Sequence, residues 1–202
     1  MVGKFYRMRP VTVHDMLEVA RHHHRAGRLA EAEQLYRQIL ALQPRHAEAL
    51  HLLGVLAHQV GRNDLATDWI QQSIAIDANN MAAYSSLAQV KCAQGLLEDA
   101  AITLRQAAQK CPASAEIYGN LGVILLHQKH FEEAILALRR AIHLNPDFAD
   151  AFSNLGAALA QTGNLNEALG AYRRAIALKP NFAEAHNNFG NALRELGELA
   201  GC

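Results

Sequence analysis

Three asparagines, Asn120, Asn154 and Asn188, stand 34 residues apart. A side-chain amide carries both N–H donors and a carbonyl acceptor. Amides held at even spacing can bond the N–H and C=O groups of an extended chain, gripping it by its main chain with little regard for its side chains. The same step brings more polar residues beside them: Ser85, Ser153 and Asn187 one place earlier, and Gln89 and Asn191 three places later. Ser86 holds the place one step before Asn120. This is binding chemistry. The chain has no glycine-rich phosphate loop, no H-E-x-x-H and no G-x-S-x-G. It is therefore expected to be non-enzymatic and to need no cofactor.

Other ligand-type residues do not gather. His22, His23 and His24 are consecutive, and helical neighbours point about 100° apart, so the three cannot chelate one ion. His24, His58 and Cys92 recur at the 34-residue step, but one ligand per step is fewer than a zinc cage draws on. His127 and His130 are expected in solvent. The three cysteines, Cys92, Cys111 and Cys202, form no C-x-x-C pair, which reads as reduced thiols and a cytoplasmic chain. A formal net charge of zero argues against nucleic acid, whose binders need a basic face. No run of about 18 apolar residues occurs, so no membrane span is expected. The opening MVGKFYRMRPVT lacks the apolar core of a secretory signal, and Met8 is as good a start as Met1.

The elements that carry these residues repeat with them. AEAHNNFGNALRELG at 183 matches ADAFSNLGAALAQTG at 149, AEIYGNLGVILLHQK at 115, MAAYSSLAQVKCAQG at 81 and AEALHLLGVLAHQVG at 47. A further step back reaches VHDMLEVARHHHRAG at 13. After a lead segment, residues 1–12, this divides the chain into units 13–46, 47–80, 81–114, 115–148 and 149–182, with a partial unit 183–202. A fixed period of this length marks a repeat architecture. Within each unit the apolar spacing is helical. Phe152, Leu155, Gly156 and Leu159 fall on one face of a first helix, which Gly163 ends in a left-handed cap. Ala168, Tyr172, Ala175 and Ile176 form the inner face of a second helix, which Pro180 closes. Asn181 with Glu184, and Asp147 with Asp150, are expected to act as capping boxes.

The register resembles that of the tetratricopeptide repeat family. Leu-Gly pairs stand at Leu53-Gly54, Leu121-Gly122 and Leu155-Gly156, with Phe189-Gly190 as a variant. The family's second-helix alanine falls at Ala32, Ala66, Ala100, Ala134 and Ala168, and its proline at Pro44, Pro112, Pro146 and Pro180. Ala78 replaces a proline, Ala20 and Ala88 replace the first-helix glycine, and Lys129 replaces the turn glycine. A left-handed lysine there would cost about 1–2 kcal/mol. Gly156 and Ala168 are expected where two helices come close. The resemblance implies an all-α, right-handed superhelical solenoid of antiparallel helix pairs, with first helices lining a concave groove. It also implies a packed imidazole at His23, which holds the family's usual tyrosine place.

In this family several first-helix positions face the groove, and they include those of Asn120, Asn154, Asn188, Ser86, Gln89, Ser153, Asn187 and Asn191. The resemblance thus implies a scaffold that binds a protein or peptide. The asparagine row is similar to that of the repeat arm of O-GlcNAc transferases, which implies, as an alternative, a substrate-recruiting arm for protein glycosylation. A carboxylate clamp for chaperone tails is not matched, because Leu17 and Arg21 stand where a lysine and an asparagine belong. Glu48, Glu116, Asp150 and Glu184 read as an acidic edge. Arg139-Arg140 and Arg173-Arg174 read as a solvated outer face beside Glu132, Glu133 and Glu167. Phe189, Leu193 and Leu196 lack a second helix to cover them, which points to self-association through the last helix.

Overall fold

The structure, a computed structural model, describes residues 12–200. Cys202, the choice between Met1 and Met8, and all of the lead segment except Thr12 lie outside the described residues. Eleven helices run through the rest, with no strand among the described residues: α1 Val13–Arg25, α2 Leu29–Leu42, α3 Ala47–Gln59, α4 Asn63–Ile76, α5 Met81–Ala93, α6 Leu97–Lys110, α7 Ala115–His127, α8 Phe131–Leu144, α9 Ala149–Gln161, α10 Leu165–Leu178 and α11 Ala183–Ala200. They group into two compact bodies divided between Ala83 and Tyr84.

Every turn inside a helix pair is closed the same way. After α9, Gly163 N–H donates to the Ala160 carbonyl and Asn164 N–H to that of Leu159. These two bonds form a Schellman cap, which needs a left-handed residue between helix and exit. Gly27, Gly61, Gly95 and Gly163 supply it at φ of 74° to 78°. Lys129 supplies the fifth at φ 61°, as the sequence leads one to expect. Its bonds to Leu126 and its neighbour's to Leu125 match those of the glycine turns. The whole cost of that lysine is thus conformational.

Helix starts differ from expectation. Thr12 and Asp15 make a full capping box for α1, and His46 and Ser114 cap α3 and α7. The cap residue of α9 is Phe148, with no side-chain cap bond. Asp147 instead faces Arg174 at 3.5 Å, and Asp150 faces Lys179 at 3.6 Å. α11 begins at Ala183, and the Phe182 carbonyl takes the first helical bond from His186. The cap is therefore Phe182 and not Asn181. Phe148 packs sideways against α7: a Cβ on Gly119 would come within 2.8 Å of its ring.

In the first body, α1 packs on α2, α2 on α3, and α3 on α4. Its core joins Leu17, Ala20, Ala32, Tyr36, Ile39, Ala49, Leu53 and Leu56. In the second body α7 packs on α8, α8 on α9, α9 on α10 and α10 on α11, while α9 also touches both α7 and α11. Leu155, Leu159, Ala168, Tyr172 and Ala175 are buried as their spacing predicts, whereas Phe152 and Ile176 are half-buried. The close approach at Gly156 is against a side chain: a Cβ there would lie 2.6 Å from the Tyr172 ring. Gly122 meets Leu138, and Gly54 meets Ile70 at 2.5 Å with the Ala66 carbonyl at 3.1 Å. The glycine therefore makes room for a large second-helix residue more than for the partner backbone.

In the second body, arginines on the second helices pair with acids of the following repeat. Arg105 pairs with Glu133 at 2.8 Å, and Arg139 pairs with Glu167. Arg173 lies over the ring of Phe189 in the next repeat, while Arg140 and Arg174 lie over the rings of Tyr118 and Phe152 in their own. The acids lie mainly in neighbouring repeats and not along the same helix. Each exposed ion pair contributes up to about 1 kcal/mol, and the stacked guanidiniums add a similar amount.

His23 is half-buried, and its Nδ1 accepts from Arg28 Nε at 2.9 Å. It is not the core imidazole expected of it, because the turn that follows brings Arg28 back across the ring.

Candidate functional site

α7, α9 and α11 are one step apart in the repeat and lie side by side. Two adjoining hollows open along them. One, of about 580 Å³, is lined by Asn154 and Gln161 from α9, Asn188, Asn191 and Glu184 from α11, and Val123 and Leu126 from α7. The other, of about 250 Å³, is lined by Ser85, Gln89 and Cys92 from α5 and by Asn120 from α7. Val123 and His127 border both. The asparagine row thus borders two adjoining hollows of the second body, Asn120 at one and Asn154 and Asn188 at the other.

The three amides are not equivalent. Asn120 Nδ2 donates to Ser85 Oγ at 3.1 Å. Asn154 and Asn188 are half-buried, and among the described residues nothing hydrogen-bonds their amides. Asn191 is exposed, and its Oδ1 accepts from Arg194 at 2.7 Å. Gln89 is exposed and Ser86 half-buried. Ser153 is only 2 % exposed and its hydroxyl has no partner, so it lies beneath the groove and not on it. The correction has a geometric cause. One helical place turns the side chain by about 100°, which takes Ser153 off the stripe of Asn154 and into the packed interior. Asn187 is exposed and does not line the groove.

The floor is apolar where the amides leave it open, formed by Val123, Leu126, Phe131, Ala157 and Ala160. Charge sits at its margins. Glu184 and Glu195 come from α11, while Lys129 stands just past the end of α7. The expected acidic edge is otherwise partly neutralised, because Arg21 pairs with Glu48 and Lys179 with Asp150. Arg21 also pairs with Glu18, so the position that a carboxylate clamp would use is occupied from within.

Tyr172 is a lining residue that the spacing assigned only to the core. Its ring is 2 % exposed and it borders the larger hollow beside Glu184. Burial, and secondarily the Glu184 charge, push its hydroxyl pKa up to about 12. A tyrosine at a helix-packing place gives no sign in the sequence of where its hydroxyl emerges.

The histidines are engaged locally. His24 meets Tyr36 Oη at 3.2 Å and Gln59 Oε1 at 2.9 Å, and His58 meets Asn63 Oδ1 at 2.7 Å. Among the described residues no three metal-ligating side chains come together. Nor, among them, is any helix long and apolar enough to cross a membrane.

Known proteins resemble this chain along most of its length. The profile described as "Tetratricopeptide repeat" matches residues 17–80, and that described as "TPR repeat" matches 124–163 and 158–197. The human protein "Tetratricopeptide repeat protein 7B" is 31% identical over 77 residues, which is 38% of this chain and only 9% of that protein. Among solved structures, the MamA protein of Desulfovibrio magneticus RS-1 aligns with a TM-score of 0.71 at 18% identity, covering 85% of this chain and 97% of the other. YrrB, described as a TPR protein with an unusual peptide-binding site, aligns with a TM-score of 0.67 at 21% identity, covering 87% and 91%. At such identities the structures establish a shared fold.

Proposed function

The chain belongs to the tetratricopeptide repeat family, and from that premise we propose that the groove along α7, α9 and α11 holds an extended peptide by its main chain. Members of the family are generally protein-interaction scaffolds and not enzymes. The observation that carries the proposal is the pair of amides of Asn154 and Asn188, half-buried in one open groove without an internal partner. Each offers a donor and an acceptor to a strand that advances about 3.3 Å per residue. Asn120 extends the row, and its bond to Ser85 leaves its carbonyl oxygen available. The apolar floor accommodates small side chains between the polar contacts. The peptide-binding site ascribed to YrrB supports the reading by analogy of fold. Recruitment of a glycosylation substrate, the alternative that the row also suggests, would be this same grip.

Calorimetric titration of a peptide selected on the whole chain tests it. Asn120, Asn154 and Asn188 replaced together by alanine should weaken binding at least about tenfold, since each net hydrogen bond contributes about 0.5–1.5 kcal/mol. Unchanged affinity with an intact helical spectrum would reject the proposal.

Self-association through α11 is a second reading, supported by Leu193, which is 44% exposed. Phe189 contributes less than its spacing suggests, because Arg173 lies 5.5 Å from its ring centre. Light scattering over a range of concentrations decides it, and a constant monomer mass removes it.

A further inference from the structure

Tyr36 and Tyr172 hold the same place in their repeats, yet only one hydroxyl is engaged. Tyr36 is fully buried, and its Oη meets His24 Nδ1 at 3.2 Å. The residue at the place of His24 beside Tyr172 is Ala160, whose methyl group offers no bond. Tyr172 is 2 % exposed, its ring packs closely on Gly156, and it borders the larger hollow. Among the described residues nothing hydrogen-bonds its hydroxyl. The hydroxyl is therefore available to a donor or acceptor that enters the hollow.

Glu184 stands next to it. Its charge is felt at the phenol, and it borders the same hollow. Among the described residues no cation pairs with it, unlike Asp150 at the same place one repeat earlier, which faces Lys179. Asn188 follows one turn later on the same face of α11, with its amide open. A phenol oxygen, a carboxylate and an amide oxygen are three acceptors of different origin at one end of the groove. Glu195, further along α11, adds negative charge, and Lys129, past the end of α7, lines the same hollow.

We propose that Tyr172, Glu184 and Asn188 form a subsite for the ammonium of a lysine in the extended segment held by the asparagine row. The inference rests on the groove reading given above. An ammonium is a compact charge with three donors, which suits three separate acceptors. A guanidinium is planar and pairs with a single carboxylate as a fork, so it would engage Glu184 and make less use of the separate Tyr172 and Asn188 oxygens. The partner is thus a protein segment with small side chains and a lysine toward its α11 end, and not an acidic tail.

The test selects dodecapeptides from a phage-displayed library on the immobilised whole chain. The strongest peptide is then synthesised and titrated calorimetrically against the wild type, Tyr172→Phe, Glu184→Gln and the triple asparagine variant. One lysine should be enriched at a fixed position. Acetylating it should weaken binding about tenfold on the wild type, the scale of one charge-assisted contact, and by less than about twofold on Glu184→Gln. Tyr172→Phe should bind about threefold more weakly. Glu184 is exposed, so Glu184→Gln keeps the test decisive if Tyr172→Phe disturbs packing. A peptide that needs the asparagines yet carries no lysine, or loses equally on Glu184→Gln, overturns the subsite and leaves the groove standing. Loss on acetylating the peptide N-terminus in place of the lysine also overturns it. Binding that survives the triple variant, or no peptide at all, overturns groove and subsite together.

Discussion

Asn120 Nδ2 donates to Ser85 Oγ across 3.1 Å, joining a first helix to the one a repeat before it. The bond fixes which end of the amide faces which way. The amide nitrogen points back along the row, and the carbonyl oxygen is left for whatever lies in the groove. Ser85 is only 6 % exposed, so its oxygen has little access to water as a substitute.

Ser85→Ala should therefore cost about 1 kcal/mol, the net value of one part-buried hydrogen bond. Urea unfolding measures it. An unchanged midpoint would show that Asn120 finds another acceptor at no loss.

The helical glycines should behave in opposite ways. Gly156→Ala pushes a methyl group into the Tyr172 ring at 2.6 Å, and overpacking of this kind costs about 1–3 kcal/mol. Gly156→Leu should be worse still. At Gly190 an added Cβ meets nothing within 4 Å, so Gly190→Ala should gain about 0.5–1 kcal/mol from helix propensity. Melting temperatures that move together would refute this assignment of the two glycines.

Lys129→Gly should stabilise by about 1 kcal/mol. Its bonds already match those of the glycine turns, and φ 61° is the conformation that only glycine adopts without cost. The flexibility glycine adds to the unfolded chain offsets part of the gain. Denaturant midpoints decide it.

Stability should fall at alkaline pH. Burial raises the pKa of both Tyr36 and Tyr172 from 10.0 to about 12. Between those values the unfolded chain loses phenolic protons that the folded chain keeps, so unfolding becomes easier as pH rises. The effect is absent below about pH 9 and grows through the window from 10 to 12. Unfolding midpoints should track the phenolate absorbance, and Tyr172→Phe should flatten the fall.

Much of this was legible in the sequence because its cause is local. The 34-residue step dictates where apolar residues recur, glycine sites dictate where a left-handed cap can form, and a helical period dictates which residues share a stripe. Lys129 was readable for that reason, as were the buried faces of α9 and α10. Adjacent stripes were less readable. Ser153 and Asn154 are neighbours in the chain, yet one is buried and the other lines the hollow.

The tertiary structure alone decided contacts that depend on how far one helix slides and rolls on another. Asp147 and Asp150 had the spacing of caps, but Arg174 on α10 and Lys179 just past its end lay within reach and took them. Arg173 covers Phe189 because α10 packs on α11, which no period within one helix can state. Tyr36 and Tyr172 are identical in type and place, and their hydroxyls differ because one faces a histidine and the other an alanine. Periodicity prescribes the direction of a side chain from its own axis. What waits there is set by its neighbours.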